Sequence, residues 1–451
     1  MSLWHDTAGE ALTPRPSLPA SSDADVVIVG AGYTGLWTAY YLKQIQPDLR
    51  VTVLEAEIAG YGASGRNGGW CAGEIAGNRH RMEQRHGRPA VRDLWLALFD
   101  TVDEVGRVTA HERIECDFQK GGILTFATNS AQVTRLRNSV YDEREWGFTD
   151  DDFRWLDREE LPGKVAGALG AIFTPHAAAV HPLRLVRGLA RAAERAGVKI
   201  YEKTRVDAFS PGIVITEHGS VRADLVLRAT EAFTINLAGH ARDFVPVYSL
   251  MVATEPLPSD FWDRAGFARR EVFNDARHLI IYGQRTADNR LAFGGRGARY
   301  HFRSKLRAEY DRQPAVHEAV GGILRTLFPG AADARITHEW GGAVALSRDW
   351  RPTVTFDRRS GMGHAGGYAG EGVAAANLAG RTLADLVLGR ETELTRLPWV
   401  GHRSRLWEPE PLRWVGANLA TSLARAADRI ETRTGRPSRF VNGAFRLLTG
   451  R

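Results

Sequence analysis

Six residues near the start of the chain, Gly30-Ala31-Gly32-Tyr33-Thr34-Gly35, constrain its fold more than any others. They follow the apolar run Val26-Val27-Ile28-Val29 and precede Leu36-Trp37-Thr38-Ala39-Tyr40-Tyr41-Leu42, whose apolar residues recur at helical spacing. A short continuous apolar run suits a strand buried on both faces, so the segment reads as strand, glycine turn and helix. In that arrangement one glycine makes the tight turn and one lets a pyrophosphate approach the backbone. The third lets helix pack closely on strand, and the helix N-terminus faces the anion. A second strand, Val51-Thr52-Val53-Leu54, ends in Glu55, twenty residues after Gly35. A carboxylate there accepts both hydroxyls of an adenosine ribose and repels a 2′-phosphate. A glycine-rich turn in some other α/β protein is the competing reading, which the coincidence of strand, helix and acid disfavours. The expected fold is α/β, α+β overall, built on a Rossmann-type domain.

Composition narrows the class. At roughly 100–200 residues per domain, the 451 residues hold two or three domains, and 43% hydrophobic with 25% charged residues is ordinary globular composition. The net charge is +6, and from His402 to Arg451 ten Arg face four acids, an excess equal to that of the whole chain. No groove-reading or base-stacking module accompanies this charge, so nucleic acid is not an expected partner. Cys71 and Cys116 are too few for a disulfide framework and lack metal-ligand spacing, which implies a reduced compartment and no metal. The first two dozen residues contain no apolar targeting core, and nowhere do roughly eighteen apolar residues run together. A cytoplasmic protein is expected, with 1–22 as a flexible leader.

The segment Tyr61-Gly62-Ala63-Ser64-Gly65-Arg66-Asn67-Gly68-Gly69-Trp70 follows the second strand within seven residues, where a nicotinamide enzyme would continue to its third strand. Its many N–H donors, with a hydroxyl, an Arg and an Asn, suit an extended flavin. Here the chain resembles the D-amino-acid oxidase and glycine oxidase superfamily of flavoproteins, and within it the γ-glutamylputrescine oxidase-like branch. The motifs that carry the resemblance are GAGYTG (30–35), LEAE (54–57), GASGRNGGW (62–70), VHPLRLVRGLARAAERAGVKI (180–200), RATE (228–231), WGG (340–342) and GGYAGEGVAAANLAGRTLADLVLG (366–389).

The resemblance implies FAD, held non-covalently by Gly30, Gly32, Tyr33, Thr34, Gly35, Glu55 and Ala56, and by Ala63, Ser64, Arg66, Asn67, Gly68, Gly69 and Trp70. It adds the backbone of Val206 at the adenine, and Thr230 at the end of a strand beneath the cofactor. Gly367, Tyr368, Gly370, Glu371, Gly372 and Val373 would meet the pyrimidine end of the flavin. There the dipole of a helix from Val373 to Leu388, stopped by Gly389, stabilises the negative charge of the reduced ring. His181 to Ala196 reads as an amphipathic helix with Leu185, Val186, Leu189 and Ala193 on one stripe. Val198 to Val206 and Ile213 to Ile215 read as strands, with Pro211-Gly212 turning between them.

The cofactor domain is expected from 23–71, 178–235 and 340–395. The two inserts, 72–177 and 236–339, form a mixed-sheet substrate domain with strands at 122–127, 245–254, 279–284 and 290–295. A basic helical extension occupies 396–451, in which Trp414, Leu419, Leu423 and Ile430 share a stripe and Arg413, Arg425, Arg429 and Arg433 lie outside it. That stripe suits an interfacial helix with weak membrane contact, or packing on its own body or on a second subunit of a homo-oligomer.

Amino-acid oxidases of this superfamily grip the substrate carboxylate with a planar guanidinium. Glycine oxidase has that Arg shortly after a Trp corresponding to Trp340, whereas here no Arg follows until Arg348, and WGG matches the amine-oxidising branch. The expected substrate is a small-molecule amine, with an amino acid as the alternative. Trp70, Tyr248, Arg296 and Tyr368 are the candidate catalytic groups, and Glu74, Tyr282, His301 and Arg348 the candidate substrate contacts. The competing reading for each is structural, because Tyr and Trp often sit in cores with one satisfied polar tip, and Arg348 beside Asp349 could form an ion pair. Oxygen or an electron carrier takes the electrons. The strand 290–295 lacks the Lys that activates oxygen in sarcosine-oxidase-like members, and no Cys near Leu346 attaches flavin covalently. Cys71, beside the flavin motif, is the remaining thiol, and a buried Cys is usually inert.

Overall fold

The computed structural model describes residues 2–437 together with Val441 and Gly443. Two eight-stranded sheets organise them. The first runs Thr353–Asp357, Met362–Gly366, Gly219–Arg228, Ser22–Val29, Val51–Leu54 and Lys199–Tyr201, with Val206–Ser210 and Ile213–Thr216 as a hairpin beside Gly219–Arg228. Ser22–Val29 pairs in parallel on both sides. Its Val26 to Val29 are at most 4% exposed, which is why the run shows no polar alternation. The expected strand from 198 to 206 is interrupted: Lys203 takes a φ of 49°, and the Glu202 carboxylate turns inward to Arg15 and to the N–H of Ala59.

Six helices bear on the site: α1 (Leu3–Asp6), α2 (Tyr33–Ile45), α3 (Arg88–His111), α4 (Pro182–Arg195), α5 (Gly372–Leu388) and α6 (Leu412–Thr434). α5 stops where expected, at Gly389 in the left-handed region with φ 72°. Helices α2 to α5 and the first sheet enclose one core, which includes Trp37, Leu94, Leu189 and Leu378.

The second sheet runs Ile336–Leu346, Val245–Thr254, Leu291–Gly295, Ile281–Arg285, Val272–Asp275, Ile123–Ala127, Gly170–Thr174 and Arg154–Asp157. It encloses an aromatic core of Phe126, Phe267, Phe273, Phe293 and Phe328. All four strands expected in the inserts belong to it. So does Trp340-Gly341-Gly342, which corrects the boundary expected at 340. The strand carrying it pairs with Val245–Thr254 from Val245–Leu346 to Thr254–Ile336, and so forms the edge of this sheet.

The leader expected to be flexible is instead packed. Leu3, Trp4 and Leu18 are at most 2% exposed. The Arg15 guanidinium forks onto Glu194 at 2.7 and 2.8 Å and reaches Glu202 at 2.8 Å. A chain tied this way has side-chain and backbone partners along its length, unlike a solvated linker.

The extension is corrected in the same sense. Its beginning joins the first sheet, where the Val354 N–H donates to Trp399 O. Helix α6 docks through Arg413, Ala424, Ala427 and Glu431, which are buried; of the expected apolar stripe Trp414 and Leu419 are exposed and Leu423 and Ile430 half-buried, so packing on its own body uses a mostly different face. Loops of the second sheet set this choice, because their backbone groups need partners. Asp428 accepts from His278 N and Leu279 N at 2.8 and 3.0 Å, Arg425 donates to Gly297 O, and Arg413 donates to Ala241 O. Glu431, with no exposed side-chain surface, pairs with Arg135 at 2.6 Å and His278 at 3.1 Å. The part of the extension beyond 437, apart from Val441 and Gly443, lies outside the described residues. Among the described residues no helix is long and apolar enough to cross a membrane.

Replacing Glu431 by Ala removes the acceptor that Arg135 and His278 share. A loss of about 1–3 kcal/mol is expected, read as faster tryptic cleavage at Arg425, Arg429 and Arg433 with the flavin absorbance retained.

Candidate active site

A groove of about 520 Å³ opens at the carboxyl ends of the parallel strands, where Val29, Leu54 and Ala229 line it. Its geometry begins at Gly30, whose φ of 107° is open to glycine and where a Cβ would lie 2.6 Å from Ala229 O. At Gly35 a Cβ would lie 2.0 Å from Gly30 O, so this glycine seats α2 on its strand and does not line the groove. Gly32 caps α2 without a side chain, and Tyr33 N donates to Ser64 Oγ at 2.9 Å. The Glu55 carboxylate accepts from Ala31 N at 2.8 Å and Glu57 N at 3.0 Å. Burial raises its pKa, and these two N–H groups oppose the rise. The remaining lone pairs are open to ribose hydroxyls. Ala56 continues the wall, and Val206 lies with Thr204 and Arg205 at the same end.

Ala63, Ser64, Arg66 and Asn67 form the next stretch. Asn67 shapes it: Nδ2 donates to Ala63 O and Ser64 O at 3.0 Å, and Oδ1 accepts from Gly69 N at 2.8 Å. Arg66 is held by Asp311 at 2.6 Å. Gly68 and Gly69 back this loop and do not line the groove. A Cβ at Gly68 would meet the Tyr282 ring, and one at Gly69 would meet the Gln284 amide.

Thr230, Glu231, Tyr368, Gly370, Gly372 and Val373 close the other end. The Tyr368 hydroxyl lies 2.9 Å from Thr34 Oγ1. Burial raises this phenol far above its ordinary range, and Tyr368 lines the groove while joining the two glycine motifs. Gly367, also behind the wall, donates its N–H to Glu231 at 2.8 Å. Burial pushes the Glu231 carboxyl up to about 7 against that bond. Glu371 occupies the N-cap of α5 without capping it, so two helix N-termini, those of α2 and α5, open on one groove. Neither N-terminus is capped by its own N-cap side chain, and at α2 Ser64 takes only the Tyr33 N–H; such ends suit a pyrophosphate and an electron-rich ring, which fits FAD.

The substrate candidates fall into two groups. Beside the Gly68-Gly69 backing, Trp70 packs edge-on against Tyr282 at 5.7 Å, and Tyr282 shares a 2.8 Å hydroxyl contact with Ser249. Arg296 donates to Ala369 O at 2.9 Å and lies 3.9 Å from Glu371. Glu74 keeps exposed surface and lies near Glu371 and Arg296. Burial and then Glu371 push its carboxyl up to about 8, with Arg296 opposing. The second group is Tyr248, which lines the groove and whose phenol burial pushes up to about 12, and His301, stacked on Tyr310 at 3.4 Å.

Arg348 pairs with Glu408 at 2.9 Å and lies over Trp407 instead of forming the ion pair with Asp349, and it is not among the residues lining the groove. Cys71 is fully buried, its thiol pushed well above the usual range, and it does not line the groove. Glu231, Phe233 and Asp311 line the groove without having been singled out from the sequence. Glu231 carried a signal, as the acid that closes the RATE motif three residues past the end of the Gly219–Arg228 strand. The other two carried none.

Comparisons agree with this geometry. The family model described as FAD dependent oxidoreductase (DAO) matches residues 25–386. The chain is 30% identical to γ-glutamylputrescine oxidoreductase of Escherichia coli, over 86% of this chain and 89% of that protein. It is 31% identical to the probable oxidoreductase OrdL of Rhizobium meliloti, over 87% and 90%. Glycine oxidase from Bacillus cereus superposes with a TM-score of 0.66 at 20% identity, covering 82% of this chain and 98% of that one.

The raised Glu231 carboxyl favours folding while protonated. Its contribution is complete below the ordinary 4.5 and is lost as pH rises through about 7. Glu231→Gln keeps an acceptor for Gly367 without the titration. Between about pH 5 and about pH 8 the melting temperature of the FAD-free wild type should therefore fall more steeply than that of the variant. Parallel profiles would refute the assignment.

Proposed function

Since the chain belongs to the DAO family of FAD-dependent oxidoreductases, we propose that it oxidises the C–N bond of an amine. One molecule each of amine, O2 and water gives one carbonyl compound, one released amine or ammonia and one H2O2, through an imine that water hydrolyses. The two electrons leave as hydride from the α C–H bond and end on oxygen, while the N–H bond gives up a proton and its electron pair forms the C=N bond of the imine. An FAD-dependent oxidoreductase acting on amines or amino acids is the broader class. The chemistry that FAD supplies when bound is acceptance of a hydride equivalent at its N5.

One observation carries the preference for an amine over an α-amino acid: Arg348, Arg66 and Arg296 each already donate to an acceptor of the protein itself. Arg348 is taken by Glu408, Arg66 by Asp311, and Arg296 by Ala369 O with Glu371 close by. A carboxylate would need both donors of one fork. The aromatic pair Trp70 and Tyr282 offers walls that desolvate an amine and favour its neutral, oxidisable form. Glu74 suits an incoming cation. The N-terminus of α5 supports electron density at the pyrimidine end through its free N–H groups. Arg296 favours the amino-acid alternative, since its bond to a carbonyl is the weakest engagement of the three. The strand Leu291–Gly295 presents no lysine to oxygen, which favours the second alternative, a dehydrogenase using a quinone or carrier.

Anaerobic mixing of the holoprotein with primary and secondary amines, with and without α-carboxylates, decides among these. Bleaching of the flavin absorbance by amines lacking a carboxylate is expected, with recovery in air and H2O2 formation. Bleaching by α-amino acids alone would replace this reading with the amino-acid one. Bleaching without recovery in air would indicate the carrier-linked dehydrogenase.

A further inference from the structure

Four consecutive carbonyls on the back of the groove loop, residues 66 to 69, each accept from a side chain outside the loop. Trp340 Nε1 donates to Arg66 O at 2.9 Å, and Trp4 Nε1 donates to Asn67 O at 2.8 Å. Gln284 Nε2 donates to Gly68 O at 2.7 Å and Gly69 O at 3.1 Å. Trp340 and Gln284 belong to strands of the second sheet. The donor to Asn67 comes instead from α1, in the segment whose composition reads as a leader.

Trp4 is 2% exposed and packs edge-on against both Trp340, at 6.1 Å, and His181, at 5.0 Å. The chain around it is tied to both layers of the molecule. Arg184 of α4 donates to Thr7 O and Ala8 O, and Thr7 Oγ1 lies 3.0 Å from His181 Nε2. On the other side Asp6 meets His338, on the edge strand of the second sheet, at 3.2 Å. The indole N–H therefore reaches the loop only when α4 and that edge strand are both in place.

We infer that α1 is a strap belonging to the FAD site, with Trp4 as a positioning residue that fixes the Asn67 carbonyl from behind and so sets the groove-facing surface of residues 63–67. The physical reason is local. A glycine-flanked loop has many backbone conformations, and binding FAD would have to select one of them. A buried indole donor aimed at one carbonyl makes that selection before the ligand arrives, so its loss appears as weaker binding. A strap with only a general structural role would instead change the stability of the free and the bound protein equally.

The test uses the full chain, stripped of FAD and titrated with FAD by quenching of flavin fluorescence, alongside melting of the FAD-free and FAD-saturated forms. Trp4→Phe keeps the ring packing and removes the N–H. The dissociation constant for FAD should rise about tenfold, with melting of the FAD-free form changed much less than that of the bound form at fixed FAD. Trp340→Phe, which frees the adjacent carbonyl, should act in the same direction. If Trp4→Phe does not accumulate, Asp6→Ala loosens the strap at His338 without touching the loop and should also weaken FAD binding. Equal losses in both melting temperatures with an unchanged FAD dissociation constant would overturn the inference. Because FAD binding is read directly, the result stands apart from which amine or amino acid the enzyme oxidises.

Discussion

The cofactor groove depends on how closely three backbone segments meet at Gly30. A side chain there would collide with Ala229 O, and one at Gly35 would collide with Gly30 O, so the turn, the helix behind it and the end of the Gly219–Arg228 strand form one rigid corner. From that corner the Thr34 hydroxyl reaches the Tyr368 hydroxyl, tying the first glycine motif to the last. The N-terminus of α5 is then held against the same groove as that of α2. Chain segments more than three hundred residues apart converge because the close packing admits no larger residue.

Carboxyl groups give the site its electrical character. Glu55, Glu74 and Glu231 are all shifted upward by burial. At Glu74 a guanidinium opposes the shift, whereas at Glu55 and Glu231 backbone N–H groups lead the opposition. Backbone dipoles stabilise a carboxylate without cancelling its charge at long range. Such an environment keeps the groove polar enough for a ribose, and makes Glu74 responsive to the charge of its neighbours.

The parts of the molecule legible in the sequence are those where chemistry is local. Strand, glycine turn, helix and Glu55 lie within about thirty residues, and their spacing follows from the periods of helix and strand. The stop of α5 at Gly389 and the strand Val245–Thr254 are local in the same way. What failed was set by partners far along the chain. Arg348 turned to Glu408, the strand holding Trp340 joined the second sheet through Val245–Thr254, and the leader became a packed segment because Glu194, Glu202 and Arg184 were waiting for it. The tail's helix was legible, but its docking face was not: apolar periodicity marks one stripe of α6, whereas backbone groups on neighbouring loops, in need of partners, bind the polar side chains beside it.

That docking has a consequence for how the tail can vary. Asp428 serves two adjacent N–H groups at His278 and Leu279, just ahead of the Ile281–Arg285 strand, in the way that a further strand or a turn would. A helix has here taken over the work of a missing loop. Its inner positions are therefore bound to side-chain chemistry, carboxylate for carboxylate, while Leu412, Val415 and Leu419 on the outside remain open to solvent. Substitutions should accumulate along α6 in two registers, one narrow and polar, the other broad, and the narrow register is the polar face that a hydropathy plot would mark as dispensable.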